Sequence, residues 1–207
     1  MIDMQGIAFV VDDDAAVLRS MARILHAADI ETRTFQSPAE FLAQHDPQVP
    51  GCALLDVAMP SLDGLQLQMA LIEHGIERPI IFVTGQGDIP TSVRAMKAGA
   101  VDFLTKPVKA ELLIAAVRRA FERDVQSRYV RGLRCSIEAR IAQLTPRERE
   151  VLTHVVAGRL NKQIAGDLGT VEKTIKVHRG RMMAKMGVRT VADLVRVAAQ
   201  AGIGPQL

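Results

Sequence analysis

Five short apolar runs, each followed by an amphipathic stretch, constrain this chain more than any other feature of its sequence. Ile7–Val11, Cys52–Leu55 and Pro79–Val83 are apolar at successive or nearly successive positions. Side chains alternate faces along a strand, so such runs suit strands covered on both faces. Glu31–Phe35 is a shorter alternating run, and Val101–Leu104 makes the fifth. Between them, Ala15, Leu18, Met21, Ala22 and Leu25 recur at helical spacing. Ser37-Pro38-Ala39-Glu40 reads as a capping box that opens a second helix. Leu65–His74 with Gly75, and Pro90–Ala98 with Gly99, read as helices with glycine stops, and a long helix begins at Lys109. The order βαβαβαβαβα predicts a parallel sheet with helices on both faces.

Ligands of an open parallel sheet bind outside the carboxyl ends of its strands, where strand order reverses. Those ends carry Asp12-Asp13-Asp14, Asp56, Thr84 and Thr105-Lys106-Pro107. Asp14 is expected to be a helix N-cap, and Asp63 before Gly64 is expected to be turn chemistry. The remaining acids would repel one another. At about 4 Å and an effective dielectric of about 20, each pair costs roughly 4 kcal/mol. A hard divalent cation, Mg²⁺ above all, relieves that repulsion through oxygen ligands. Metal, lysine and hydroxyl together can surround a transferring phosphoryl group, with a carboxylate as its acceptor.

Charge divides the chain. Residues 1–120 carry 15 acidic and 10 basic side chains, and residues 121–207 carry 8 and 16. Two domains with different partners are expected, the second a candidate for nucleic acid. Glu122–Arg140 reads as a helical linker, either a solvated extension or a dimer seam. Thr145-Pro146-Arg147-Glu148 is a further capping box. Short helices follow over Asn161–Leu168, Glu172–Met186 and Thr190–Ala201, with a tight turn at Gly169, the pattern of a helix-turn-helix. On the long helix, Ile175, His178, Met182 and Met186 share one face, with His178 read as structural. Lys173, Lys176, Val177, Gly180, Arg181 and Ala184 share the opposite face. A basic face with little bulk suits entry into a major groove.

No apolar run is long enough for a membrane span, and "MIDMQG" lacks the regions of a secretory leader. Cys52 and Cys135 form no metal or redox spacing. A cytoplasmic protein with reduced thiols, and no membrane partner, is expected.

Val11-Asp12-Asp13, Asp56 with Met59-Pro60 and Gly64, Thr84-Gly85 and Lys106-Pro107 resemble the receiver domain of two-component response regulators. The segments "LTPREREVL", "NKQIA" and "KTIKVHRGRMMAKM" resemble the NarL/FixJ (LuxR-type) helix-turn-helix domain. The combination is similar to the FixJ-like group. The resemblance implies an α/β receiver with a doubly wound, flavodoxin-like, five-stranded parallel sheet over 1–124. A helical linker over 125–140 and a small all-α DNA-binding domain over 141–207 complete it. It implies Asp56 as phosphoacceptor, with Mg²⁺ held by Asp12, Asp13, Asp56 and the backbone carbonyl of Ala58. It implies Thr84 and Lys106 as phosphoryl-binding groups, Phe103 as the switch aromatic, and a cis Lys106–Pro107 bond. Phe103 could equally be a core strand residue. Lys176 and Val177 would lie at base edges, Lys162, Thr174 and Lys185 would touch phosphates, and Lys173 is a further DNA contact. Two departures stand out. Val171 occupies the place where a small cap is usual, so Thr170 is expected to cap instead. Gly180 replaces a larger contacting residue, leaving Arg179 or Arg181 to supply the contact.

The implied function is a response regulator transcription factor, not an enzyme beyond its own Mg²⁺-dependent phosphotransfer and dephosphorylation. Its implied partners are a sensor histidine kinase, double-stranded DNA, RNA polymerase and, when phosphorylated, a second copy. Two other readings stay open. A phosphoaspartyl hydrolase would usually carry a second acid two residues after the first, where this chain has Ala58. The other is a DNA-binding protein that acts without phosphorylation.

Overall fold

A computed structural model describes residues 6–60, 62–85 and 89–203. The outer ends of the expected 1–124 and 141–207 domains, residues 1–5 and 204–207, fall outside them. The chain forms two compact units that divide after Arg128.

The first unit has strands β1 (Ile7–Val11), β2 (Thr32–Phe35), β3 (Gly51–Asp56), β4 (Ile80–Thr84) and β5 (Asp102–Thr105). They form one parallel sheet in the order β2-β1-β3-β4-β5. The strands alternate with α1 (Ala15–His26), α2 (Pro38–Gln44), α3 (Gly64–Glu73) and α4 (Ile89–Lys97), and are followed by α5 (Ala110–Ala142), which begins in this unit and continues past Arg128 into the second. The continuous apolar runs are explained by two cores, one on each face. Ala8, Val10, Cys52, Leu54, Ile81 and Val83 pack with Leu18, Met21 and Leu25 of α1 and Leu113, Val117 and Phe121 of α5. Ile7, Phe9, Val11, Ala53, Leu55, Ile80 and Phe82 pack with Phe41 of α2, Leu67 and Leu71 of α3 and Ala95 of α4. Each fully buried side chain of this size stabilises by about 1.5–3 kcal/mol against exposure.

The second unit contains α6 (Pro146–Val156), α7 (Asn161–Asp167), α8 (Glu172–Met186) and α9 (Val191–Gln200). Its core includes Ile137, Val151, Leu152, Val155, Ile164, Ile175, Met182, Met186 and Leu194. The Thr145 capping box is present in both directions: Glu148 N–H donates to Thr145 and Thr145 N–H donates to Glu148. The Ser37 box differs. Ser37 Oγ accepts from Glu40 N–H at 3.1 Å, but Glu40 reaches back to Gln36 N–H, one residue earlier than expected. The expected Thr170 cap also fails. Val171 is the N-cap of α8 and supplies no side-chain acceptor, so an apolar residue opens this helix. Asp63 is more than a turn residue: with Gln66 it forms a full capping box at the start of α3.

Candidate functional site

Strand order reverses between β1 and β3, and Asp12 and Asp56 stand at the carboxyl ends of those two strands. Both are buried, whereas Asp13 is exposed. Asp12 Oδ1 accepts from Asp14 N–H at 3.0 Å, and Asp14 caps α1 by accepting from Ala16 and Val17. Lys106 arrives from the end of β5; its N–H donates to Thr84 O at 2.7 Å, and the Lys106–Pro107 peptide is cis. Its Nζ lies 2.6 Å from Asp12 Oδ2 and 3.0 Å from Asp56 Oδ1. The second contact is an ion pair without hydrogen-bond alignment, so the buried Asp56 Oδ1 accepts no hydrogen bond. One carboxylate oxygen from each of Asp12, Asp13 and Asp56 lies within 4.8 Å of the others.

Burial pushes the Asp12 carboxyl above its ordinary range, and the Asp56 charge adds to this against the pull of Lys106 and the Asp14 N–H. Burial alone would lower Lys106, but its hydrogen bond to Asp12 and the nearby Asp56 charge outweigh it and hold the ammonium above its usual range. One cation therefore serves two buried carboxylates, with a third beside them. The under-satisfied Asp56 oxygen and the all-oxygen donor set fit a hard divalent cation.

The loop after Asp56 is shaped by a close approach. Gly64 opens α3, and its N–H donates to Val57 O at 3.1 Å. A Cβ on Gly64 would lie 2.2 Å from the Asp56 carbonyl oxygen. Only glycine allows α3 to start this near the site. Met59 is buried in the core beneath the loop, and Ala58 lies exposed within it. Thr84 is fully buried, one residue beyond Val83, the register partner of Asp56. Phe103, on β5, is half-buried with its ring centroid 6.3 Å from that of Phe82. Asp12, Asp13, Asp56 and Lys106 thus converge directly, with Thr84 on the adjacent strand end and Phe103 one strand further.

The helical unit presents a second surface. The expected phase of α8 appears in its burial: Ile175, Met182 and Met186 are buried and His178 is half-buried. Lys173, Lys176, Val177, Gly180, Arg181 and Ala184 are all exposed, as is Lys162 on α7, while Thr174 is half-buried. Three of the expected contact residues have internal partners. Lys176 Nζ lies 3.2 Å from Glu172 Oε1, one turn earlier on α8. Lys185 Nζ lies 2.6 Å from the buried Glu148 and donates to Gln143 O at 3.0 Å. Its hydrogen bond holds the Glu148 carboxyl below the usual range. Arg179 Nη1 donates to Asn161 Oδ1 at 2.8 Å, tying the start of α7 to α8. Sequence spacing offered no sign of the Lys185–Glu148 pair, whose members lie on different helices.

Residues 8–118 match the response regulator receiver domain, and residues 142–198 match the luxR family of bacterial regulatory proteins. Nodulation protein W of Bradyrhizobium diazoefficiens is 43% identical over 96% of this chain and 88% of its own. Transcriptional regulatory protein FixJ of Azorhizobium caulinodans is 41% identical over 95% of this chain and 93% of its own. Among solved structures, the response regulator StyR superposes with a TM-score of 0.83 at 40% identity, covering 95% of this chain and 99% of its own. Full-length FixJ from B. japonicum gives a TM-score of 0.59 at 37% identity, covering 96% of this chain and 98% of its own. A five-stranded receiver followed by a LuxR-type helical unit, matched along nearly the whole chain by proteins of the same organisation, places this protein in the FixJ-type response regulators, a family of transcription factors.

Proposed function

We propose that Asp56 is the phosphoacceptor of this regulator and that a partner histidine kinase supplies the phosphoryl group. The convergence of Lys106 on Asp12 and Asp56, at 2.6 and 3.0 Å, carries this reading. An Asp56 carboxylate oxygen attacks phosphorus, an O–P bond forms, and the P–N bond to the kinase histidine breaks. Mg²⁺, held by Asp12, Asp13, Asp56 and the Ala58 carbonyl, would supply positive charge beside the phosphoryl oxygens. Lys106 pairs with the phosphoryl group from the other side, and the Thr84 hydroxyl donates to it. Phe103 follows Thr84 as the switch aromatic, biasing the surface near α4 and β5 toward dimerisation.

Two helical units then bind two DNA half-sites, through Lys173, Lys176, Val177 and Arg181 of α8, with Lys162 and Thr174 toward phosphates. Arg179 and Lys185 contribute from positions already braced inside the unit. The receiver spans 1–124, a helical linker 125–140 and the DNA-binding domain 141–207. RNA polymerase is the downstream partner, transcription is activated, and the protein works in the cytoplasm. Catalysis is limited to its own phosphorylation and dephosphorylation. Among the described residues, no helix is long and apolar enough to cross a membrane.

The test incubates the full chain with acetyl phosphate and Mg²⁺ and reads adduct position by peptide mass and DNA binding by titration. The expected result is one adduct on Asp56 and tighter, sequence-selective binding, both lost in Asp56→Asn. Labelling elsewhere, or unchanged DNA affinity in Asp56→Asn, would overturn the proposal.

A further inference from the structure

The exposed face of α8 carries one residue that the protein itself does not require. Gly180 lies mid-helix and is exposed. It is not among the glycines with positive φ, so its backbone does not demand glycine. A Cβ placed there would meet nothing within 4 Å, so packing does not demand it either. Glycine inside a helix weakens it relative to alanine, which stands one turn later on the same face at Ala184. Gly132 and Gly166 also have open surroundings, but Gly132 lies on α5, outside the helix-turn-helix, and Gly166 sits in the last turn of α7, where the helix is ending.

Helical phase gives Gly180 a particular setting. Val177, Gly180 and Ala184 follow one another along the middle of the exposed face, with Lys176 on one flank and Arg181 on the other. Val177 is 46% exposed, an apolar group with no core to enter. Flanking cations are suited to phosphates; a valine beside a bare backbone is suited to a methyl group.

We propose that Gly180 is a specificity-determining position: the 5-methyl group of a thymine in the major groove occupies the space a side chain would fill, against Val177. This rests on α8 being the DNA-reading helix. Binding there is by closest approach of the helix backbone, so even a methyl side chain at position 180 competes with the thymine.

The test first selects an operator from a random duplex pool with the full chain treated with acetyl phosphate and Mg²⁺. Each thymine is then replaced singly by uracil, which lacks only the methyl group, and affinities are measured for wild type and Gly180→Ala. One thymine per half-site is expected whose replacement costs wild type about fourfold, the worth of one buried methyl. Gly180→Ala is expected to bind the thymine operator at least fourfold more weakly and to lose the thymine–uracil difference at that position. Its melting temperature should equal or exceed that of wild type, which separates this loss from misfolding. Wild-type affinity of Gly180→Ala for the operator, or an undiminished preference for thymine at every position, would overturn the proposal. Failure to enrich any operator would instead overturn the DNA-reading role of α8 on which it rests.

Discussion

At the carboxyl ends of the strands, Lys106 serves two buried carboxylates at once and Asp56 Oδ1 accepts no hydrogen bond. At the amino ends of the same sheet, buried charge is handled in another way. Asp124 Oδ2 accepts from Gly51 N–H at 2.9 Å and from Arg128 Nε at 2.7 Å. Arg128 also donates to the carbonyls of Pro47, Gln48 and Val49. Arg78, buried and stacked 4.5 Å from the Phe9 centroid, donates to His45 Nε2, Asp46 O and Val49 O. Two guanidinium groups thus cage the loop before β3, with only Arg78 Nη1 lacking a hydrogen bond. Charge at one end is locked by many short bonds, while charge at the other is held by a single shared lysine. The second arrangement leaves a buried carboxylate oxygen for a ligand to satisfy; the first has its carboxylate already bonded from two sides.

The largest expected effect that tests this contrast is at the caged end. Asp124→Ala leaves the Gly51 N–H without its acceptor and Arg128 without its counter-charge, and should cost about 3–5 kcal/mol in denaturant unfolding of the first unit. Acetyl-phosphate labelling of the folded fraction should be unchanged. Loss of labelling in protein that remains folded would show that the two ends are not separable.

A pH effect comes next. Burial, reinforced by Arg78, lowers His45 from 6.5 to about 4. Its folded value lies below its unfolded value, so the neutral ring stabilises the fold fully above pH 6.5. That contribution falls away as pH drops from 6.5 toward 4 and amounts to up to about 3 kcal/mol. His45→Gln retains an acceptor for Arg78 and removes the titration. Wild type should therefore lose stability relative to the variant as pH falls through this window. Parallel curves would refute the assignment.

The smallest effect belongs to the open end. Lys106→Met should lower stability by about 2 kcal/mol in EDTA, because the carboxylates lose their shared cation. Added Mg²⁺ should restore part of it, since a ligand that binds only the folded state stabilises it. A variant that gains nothing from Mg²⁺, while wild type does, would make Lys106 part of the cation's support rather than its substitute.

Much of this architecture was legible in local pattern. The strands sit within a residue or two of their apolar runs because coverage on both faces leaves few other arrangements for them. Asp14 caps α1 and the Thr145 box closes as its spacing predicts, since both depend on neighbours three residues away at most. The acids, the lysine and the threonine could be gathered from sequence because strand ends converge in any parallel sheet of this order. Contacts between distant segments were not legible. The Gly51–Asp124 bond spans 73 residues and the Lys185–Glu148 pair 37. The role of Gly64 was hidden for the same reason: its constraint is a carbonyl oxygen eight positions earlier, not its own turn. The family resemblance offered Arg179 as a DNA contact but could not show that Asn161 holds it.

The two thiols of this chain differ sharply in access. Cys52 is fully buried within β3, and burial pushes its thiol far above the ordinary range, while Cys135 is exposed on α5. A maleimide probe should therefore attach at one place on the native protein, without engineered cysteines. Spin labels carried there by two copies of the chain would turn self-association into a measurable inter-probe distance, before and after acetyl phosphate is added.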